Sequence, residues 1–532
     1  MGKKTSRARQ LRQPLLLPAQ YDLPMPTRHA LTRGVARRSF LRGSGALAAA
    51  AFAGTLTAYA RNAAAAACGG FSSNVPGPYG PIAPVADQST GLQLLQLPAG
   101  FQYASFAWSA DTMLDGQPCP TRHDGMAVVT TRRVGSGDEH VLIRNHERAF
   151  GSASSMIIAP RRYDEGTFGG RSALGGTTNL VFRDGWVSVE PSLGGTLINC
   201  AGGPTPWGSW LTCEETLSNE SSSQGKRHGY VFEVAANASQ TTGNPIVGMG
   251  RFSHEAAAVD PATGYVYLTE DLRNVSGFYR FAPRDSTGRL GSLEAGGRLQ
   301  AAKVVGTSNA SLNTARRCEE YTLEWIDIAH PDQDSGPVGG PPLSGFTGNP
   351  VGSGPFAQAW TAGGLQLARG EGLWYSAGKL YMVDTATGAD AVNRPGRGHG
   401  AVWELDLATM KLKAIFVSDR QGVGNNPDNI VVSPRGGILL CEDGVGSVDA
   451  FGSGTRLLGI NAQGDSFIFC KNNVNLTTSQ IAGAAKRVDP GDYRESEFAG
   501  ACWDPAGRVL FCNVQTPGLT VAISGPWGDI GV

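Results

Sequence analysis

Cys200, Glu214 and Glu215 share one stretch, residues 196–216 (TLINCAGGPTPWGSWLTCEET), in which a second cysteine, Cys213, stands directly before the two carboxylates. Thiolate selects transition metals, whereas carboxylates also suit calcium or magnesium. Leu197-Ile198 and Trp210-Leu211-Thr212 read as short strands on either side of a Gly-Gly-Pro-Thr-Pro-Trp-Gly turn. Such a hairpin would carry soft and hard anionic donors to the lip of a sheet. The plain alternative is a buried cysteine pair beside a solvated acidic turn.

Further groups of the same kind recur along the chain: Asn145-His146-Glu147, His254-Glu255, Glu270-Asp271, Arg369-Gly370-Glu371, Asp428-Asn429, Glu442-Asp443 and Asn513. Each stands at the start or end of an apolar strand run. A carboxylate there is costly unless paired or bound to a cation. One alone is most simply a solvated turn, but so many at matching places, brought together, would repel each other without multivalent metal. Alternation in QLARGEGLWYS sends Arg369 and Glu371 to one face. An arginine beside clustered metals suits bidentate capture of a phosphate, and its plain alternative is an ion pair with Glu371.

The elements that must position these residues are hairpins. HEAAAVDPATGYVYLTED, NIVVSPRGGILLCED and ACWDPAGRVLFCNVQ each read as strand, Pro/Gly turn and strand, ending in an acidic or amide residue. Spaced repetition of such units predicts an all-β fold, a β-propeller whose strand ends converge on a central funnel. A large sandwich is the alternative, and it leaves the recurring acidic ends unexplained. Short inserted helices are expected within residues 311–329 and 356–368, and residues 335–355, rich in Gly and Pro, read as a long excursion.

Composition narrows the class. The 532 residues carry no formal net charge, and only 17% are charged, which argues against electrostatic capture of nucleic acid or membrane. Glycine is abundant at 73 residues while apolar residues reach 41%, a balance that fits many short strands and excludes disorder. Nine scattered cysteines do not form a disulfide framework, although one or two bridges are compatible with an oxidising compartment.

Residues 1–70 read as a twin-arginine (Tat) export signal and flexible N-terminus. Arg37-Arg38 precede Phe40-Leu41 and a weakly hydrophobic Ala/Gly run that is too poor in Leu and Ile for a membrane span. Ala58-Tyr59-Ala60 fits a cleavage site, with a rival lipoprotein cut before Cys68. Residues 71–532 are expected to form a single catalytic propeller, periplasmic or secreted and monomeric. Its expected partner on this reading is the Tat export machinery. Because Tat carries folded proteins, the signal favours a cofactor loaded before export.

Across nearly the whole mature chain the sequence resembles the PhoX-type alkaline phosphatases. The resemblance is carried by Asn145-His146-Glu147, Gly176-Thr177-Thr178-Asn179, NCAGGPTPWGSWLTCEE, RFSHEAAAVDP, Arg369-x-Glu371, NPDNIVVSP and NVQTPG. It implies a six-bladed propeller holding a cluster of ferric iron and calcium joined by a bridging oxo group. On that resemblance Cys200 is the thiolate ligand to iron, Glu255 and Glu371 are carboxylate ligands, and Arg369 binds phosphate. Glu147 and Glu214 or Glu215 are further candidate ligands, and His254 is a candidate proton carrier or orienting residue, as is His146. The reaction implied is phosphomonoester hydrolysis, and no G-x-S-x-G elbow offers a serine nucleophile instead. Two alternatives are a calcium-dependent propeller hydrolase of lactones or phosphotriesters, which needs no Cys200, and a non-catalytic envelope propeller with structural metals.

Overall fold

The strand–turn–strand units fold as antiparallel hairpins of one repeated design. The computed structural model describes residues 70–183 and 186–528, with the short strand Gln13–Pro14. The twin arginines and the run after them lie outside the described residues. In chain order the hairpins are His123–Val134 with Gly137–His146, Asn199–Pro204 with Ser209–Glu214 and His254–Val259 with Val266–Glu270. Then follow Gly370–Ser376 with Lys379–Asp384, Pro427–Val432 with Ile438–Glu442 and Phe498–Trp503 with Val509–Val514.

The first strand of each hairpin lies against the first strand of the next, and the last returns to His123–Val134, so these strands close a ring. Further strands extend each hairpin outward, as Gly175–Arg183 and Trp186–Thr196 do in the first sheet. The ring is closed by both ends of the chain. Gln102–Phe106, from the N-terminal side, pairs with Leu519–Ser524 as the outer strand of the last sheet. This is a β-propeller arrangement.

All six inner strands are buried at their starts, and His254–Val259, Pro427–Val432 and Phe498–Trp503 along their whole length, because each sheet is covered on both faces by its neighbours; these three read as near-continuous apolar runs. One apolar cluster joins Leu439 and Phe469 to Trp503 and Val521 across the last two sheets; another joins Leu211 and Val231 to Leu268 and Tyr279 across the second and third.

Only two α-helices occur among the described residues, Gly354–Thr361 and Thr478–Gly483. The first overlaps the expectation at 356–368, with Ser353 as its N-cap. The expected helix within 311–329 is absent. That segment holds the strand Glu320–Asp327, which pairs with Gly297–Val304 on one side and Lys411–Val417 on the other. Two free sheet edges and a run rich in Tyr, Thr, Trp and Ile outweigh the helical spacing there. The 335–355 excursion sends Val338 and Leu343 against Phe356 and Trp360 in a small core of its own. No helix among the described residues is long and apolar enough to cross a membrane.

Candidate metal centre

Every inner strand begins with a β-bulge at the same place. The register breaks between His123 and Met126, Asn199 and Gly202, His254 and Ala257, Gly370 and Leu373, Pro427 and Ile430, and Ala499 and Cys502. A bulge re-aims the side chain it carries. The residue just inside each break is Asp124, Cys200, Glu255, Glu371, Asp428 and, in the last hairpin, Gly500. All five side chains are buried, with Glu255 and Glu371 at 0% and 1% exposure. The residue after four of the five is small (Gly125, Ala201, Ala256 and Gly372) because neighbouring inner strands touch there. A Cβ on Gly125 would stand 2.6 Å from Ala201 Cα, and one on Gly372 would stand 2.6 Å from the Asp428 carbonyl oxygen.

A second tier comes from the far end of four of the six hairpins. Glu147, Glu215, Asp271 and Asp443 each follow the last residue of a second strand, and each donates its backbone N–H to the residue that precedes the inner strand: Arg122, Ile198, Ser253 and Asn426 respectively. Arg122, Ile198 and Asn426 hold left-handed backbone conformations, with φ of 58°, 45° and 52°. For the β-branched Ile198 this is strained, and such strain gathers at functional sites. The last hairpin lacks a ligand on its bulge, and Glu497, just before its inner strand, turns in instead.

The two tiers assemble four groups whose donor atoms lie within 4.8 Å of one another: Cys200, Glu215 and Glu255; Glu255, Glu371 and Asp428; Asp428, Asp443 and Glu497; and Asp124, Glu147 and Glu497. Shared members chain the groups together, and Cys200 Sγ, 3.9 Å from Asp124 Oδ1, links the first to the last. Neither oxygen of Glu255 has a hydrogen-bond partner. A fully buried carboxylate without donors is not tolerated as a bare anion. Burial first, and then mutual repulsion, pushes Glu255, Glu371, Asp124, Glu215 and Glu497 well above the usual carboxylate range. Asp428 is pushed up to about 7 by burial and then by Asp443. Burial and the charges of Asp124 and Glu255 likewise raise the Cys200 thiol. Multivalent cations reverse both effects, so the donor set fits resident metal.

Of the residues singled out in the sequence, Cys200, Glu215, Glu255 and Glu371 come together, and Glu147 joins the neighbouring group. Glu214 does not. Its carboxylate accepts from the Gly229 and Tyr230 N–H groups at 2.8 and 3.2 Å, from the Leu197 N–H at 2.9 Å, and from His228 at 2.6 Å. Glu270, Asp384 and Glu442, at the same place in their own hairpins, are tied down in the same way. The recurring acidic strand ends are therefore structural clasps, and the ligand tiers lie beside them. His254 also turns away: its ring stacks on Phe252 at 3.6 Å and bonds the Gly250 carbonyl at 3.0 Å. Burial lowers it to about 3, so it stays neutral. His146, between the Thr121 carbonyl and Thr178 Oγ1, is held well below its usual range by burial and then by Arg144. Cys213 is buried in the apolar cluster behind the sheet.

Arg369 lies at the edge of the acidic groups. Its Nε donates to Asp271 Oδ1 at 2.8 Å, Nη2 contacts Asp271 Oδ2, and Glu371 Oε1 is 3.1 Å from Nη2. Burial would lower this guanidinium, but Glu371 and Asp271 outweigh it and hold its pKa raised. Asp124 and Glu497 were not singled out in the sequence. A signal existed for Asp124: HDGMAVV matches HEAAAV and GEGLWY in placing an acid before a small residue and an apolar strand. None marks Glu497, because its hairpin has Gly500 in the ligand place.

The family model described as Alkaline phosphatase PhoX matches residues 77–193 and 187–518. Among solved structures, the fold is similar to Pseudomonas fluorescens PhoX in complex with vanadate, a transition state analogue. The TM-score is 0.57 at 16% identity, covering 86% of this chain and 98% of that one. A gluconolactonase from Xanthomonas campestris, XC5397, aligns at a TM-score of 0.30 and 14% identity over 76% of this chain and 96% of its own, too slight a likeness to argue from. No curated protein matches the sequence.

Proposed function

Because the chain belongs to the alkaline phosphatase PhoX family, we propose that this phosphatase hydrolyses small phosphomonoesters at the acidic funnel, with iron and calcium held by the four donor groups that its two tiers assemble. The observation that carries the metal reading is Glu255, buried with both oxygens unpartnered among further carboxylates and a thiol. Cys200 with Glu215 and Glu255 suits iron, since thiolate favours a transition metal. The all-oxygen groups around Glu371, Asp428, Asp443, Glu147, Asp124 and Glu497 suit calcium. Bound there, such ions would neutralise charge on the phosphoryl oxygens and lower the pKa of an attacking water.

The protein's own contribution is placement. Asp271 fixes two nitrogens of Arg369, which aims its remaining donors at a phosphoryl oxygen over the neighbouring ligands and adds charge where it develops in the transition state. The ligand side chains sit on buried bulges, so the site is preorganised and water is excluded from its floor. Glu147, Glu215 and Glu497 are only partly buried and Asp443 is exposed, which leaves the rim open to substrate. Each bulged hairpin is read as the inner half of one blade, six in all. The Tat reading of residues 1–70 places the enzyme in the periplasm or outside the cell, as a monomer. Replacing Arg37 and Arg38 by lysine would then leave it in the cytoplasm.

One experiment tests the core of this reading: elemental analysis of the exported protein with turnover of an aryl phosphate at alkaline pH, before and after chelation. Iron and calcium together with chelator-sensitive activity are expected. Calcium without iron would favour a calcium-only hydrolase, and metals without turnover would favour a structural role.

A further inference from the structure

A cleft of about 410 Å³ opens beside the metal centre, lined by Arg273, Arg394, Arg397, His399, Asn425 and Asn426. The fold puts it on the ligand face. Arg273 follows two residues after Asp271, which grips Arg369, and Asn426 stands two residues before the buried Asp428. Asn426 ties the walls together, donating to the Thr385 carbonyl at 2.9 Å and the Gly398 carbonyl at 3.3 Å.

The cleft lining carries three arginines against one carboxylate, Asp390. Arg394 is held by Asp390 at 2.6 Å. Arg273 spends one bond on the Gly396 carbonyl at 2.9 Å, and the ion pairs of the described residues include neither it nor Arg397. The guanidiniums of Arg273, Arg394 and Arg397 thus line one cleft. Like charges held together in a half-buried cleft are unfavourable unless an anion joins them.

We infer that this cleft is a second anion subsite, in which Arg273 and Arg397 bind a phosphate or carboxylate carried by the leaving group of the phosphoester. The inference rests on the phosphatase reading above and narrows its substrate class to phosphomonoesters with a second anionic group. The cleft volume accommodates a small sugar or glycerate portion. Simple aryl phosphates reach only the metal centre.

The test compares kcat/KM of the metal-loaded full chain for 4-nitrophenyl phosphate, a hexose monophosphate, a hexose bisphosphate and a phosphoglycerate. The wild type, Arg273→Ala and Arg397→Gln are assayed; Arg397 is exposed, so its variant tests the cleft without risk to the fold. The wild type should favour a doubly anionic substrate over the hexose monophosphate by about tenfold or more, mostly through KM. Each variant should cut that preference by about tenfold, the scale of one lost charged hydrogen bond. Preference for the bisphosphate identifies phosphate as the second anion, and preference for phosphoglycerate identifies carboxylate. Turnover of the aryl phosphate with no preference for a second anion, or a preference that survives both substitutions, overturns the subsite. Failure to turn over any of the four overturns the phosphatase reading itself.

Discussion

Glu214 and Glu215 are consecutive and point opposite ways. Glu214 is clasped by three backbone N–H groups and by His228, whereas Glu215 lies with Cys200 and Glu255. Conservative changes at the two should therefore fail differently. His228, though buried, is raised to about 9 because Glu214 and Asp164 outweigh its desolvation. Glu214→Gln leaves that imidazolium with one carboxylate and should destabilise the protein by about 3–5 kcal/mol. Metal content per folded molecule should hold. Glu215→Gln should keep the fold and lose metal. Thermal unfolding with elemental analysis on both variants checks this, and equal metal loss in the two would refute the division of labour.

Cys200→Ser should lose iron and most activity, since a hydroxyl is a poor, protonated substitute for a thiolate ligand. Cys213→Ser is the control. Cys213 is packed among Leu211, Val231 and Phe252 in the apolar cluster, so its serine should cost about 1–3 kcal/mol with metal unchanged. Iron retained in Cys200→Ser would remove the thiolate assignment whatever the activity did.

The propeller was legible because its repeat is written in local chemistry: apolar runs, Pro/Gly turns and an acid at a fixed offset. Which acid faces the funnel was not. Glu214 and Glu215 look alike in sequence, and their fates are decided by a bulge and by where backbone N–H groups lack partners. Glu255 and Glu371 were found because the bulged residue itself is acidic. Glu497 was invisible because it acts from outside the repeat. The 311–329 segment was misread as helix because the sheet edges that recruit it lie on strands distant in the chain.

Removing metal should invert the pH dependence of stability expected of ordinary surface carboxylates. Asp428 titrates at about 7 in the fold against about 4 when unfolded, and Glu255, Glu371 and Asp124 are shifted in the same direction. A carboxyl raised by folding costs nothing below about pH 4, where both states are protonated. Its stabilising proton is lost as pH climbs through about 7. The metal-free protein should therefore melt several degrees higher at pH 5 than at pH 8, and calcium should restore the loss at pH 8. A melting temperature that rises between pH 5 and 8 without metal would show that the cluster is not the dominant buried charge.

Arg369 and Asp271 allow binding to be separated from positioning. With Nε and Nη2 held by Asp271, the guanidinium cannot swing out of the funnel. Arg369→Ala removes a donor aimed at developing charge and should lower kcat/KM by about 10²–10³. Arg369→Lys keeps the charge but loses the fork that both Asp271 and a phosphate require, so it should recover little of that loss. Asp271→Asn keeps Arg369 and loosens its orientation. That variant should lose about tenfold, and Asp271→Glu, which keeps the charge on a longer arm, should do no better, since it misplaces the fork. Metal content should be unchanged in all four, because neither residue belongs to a ligand group. Steady-state kinetics with elemental analysis decides the matter. Full activity in Arg369→Ala would return Arg369 to a plain ion pair.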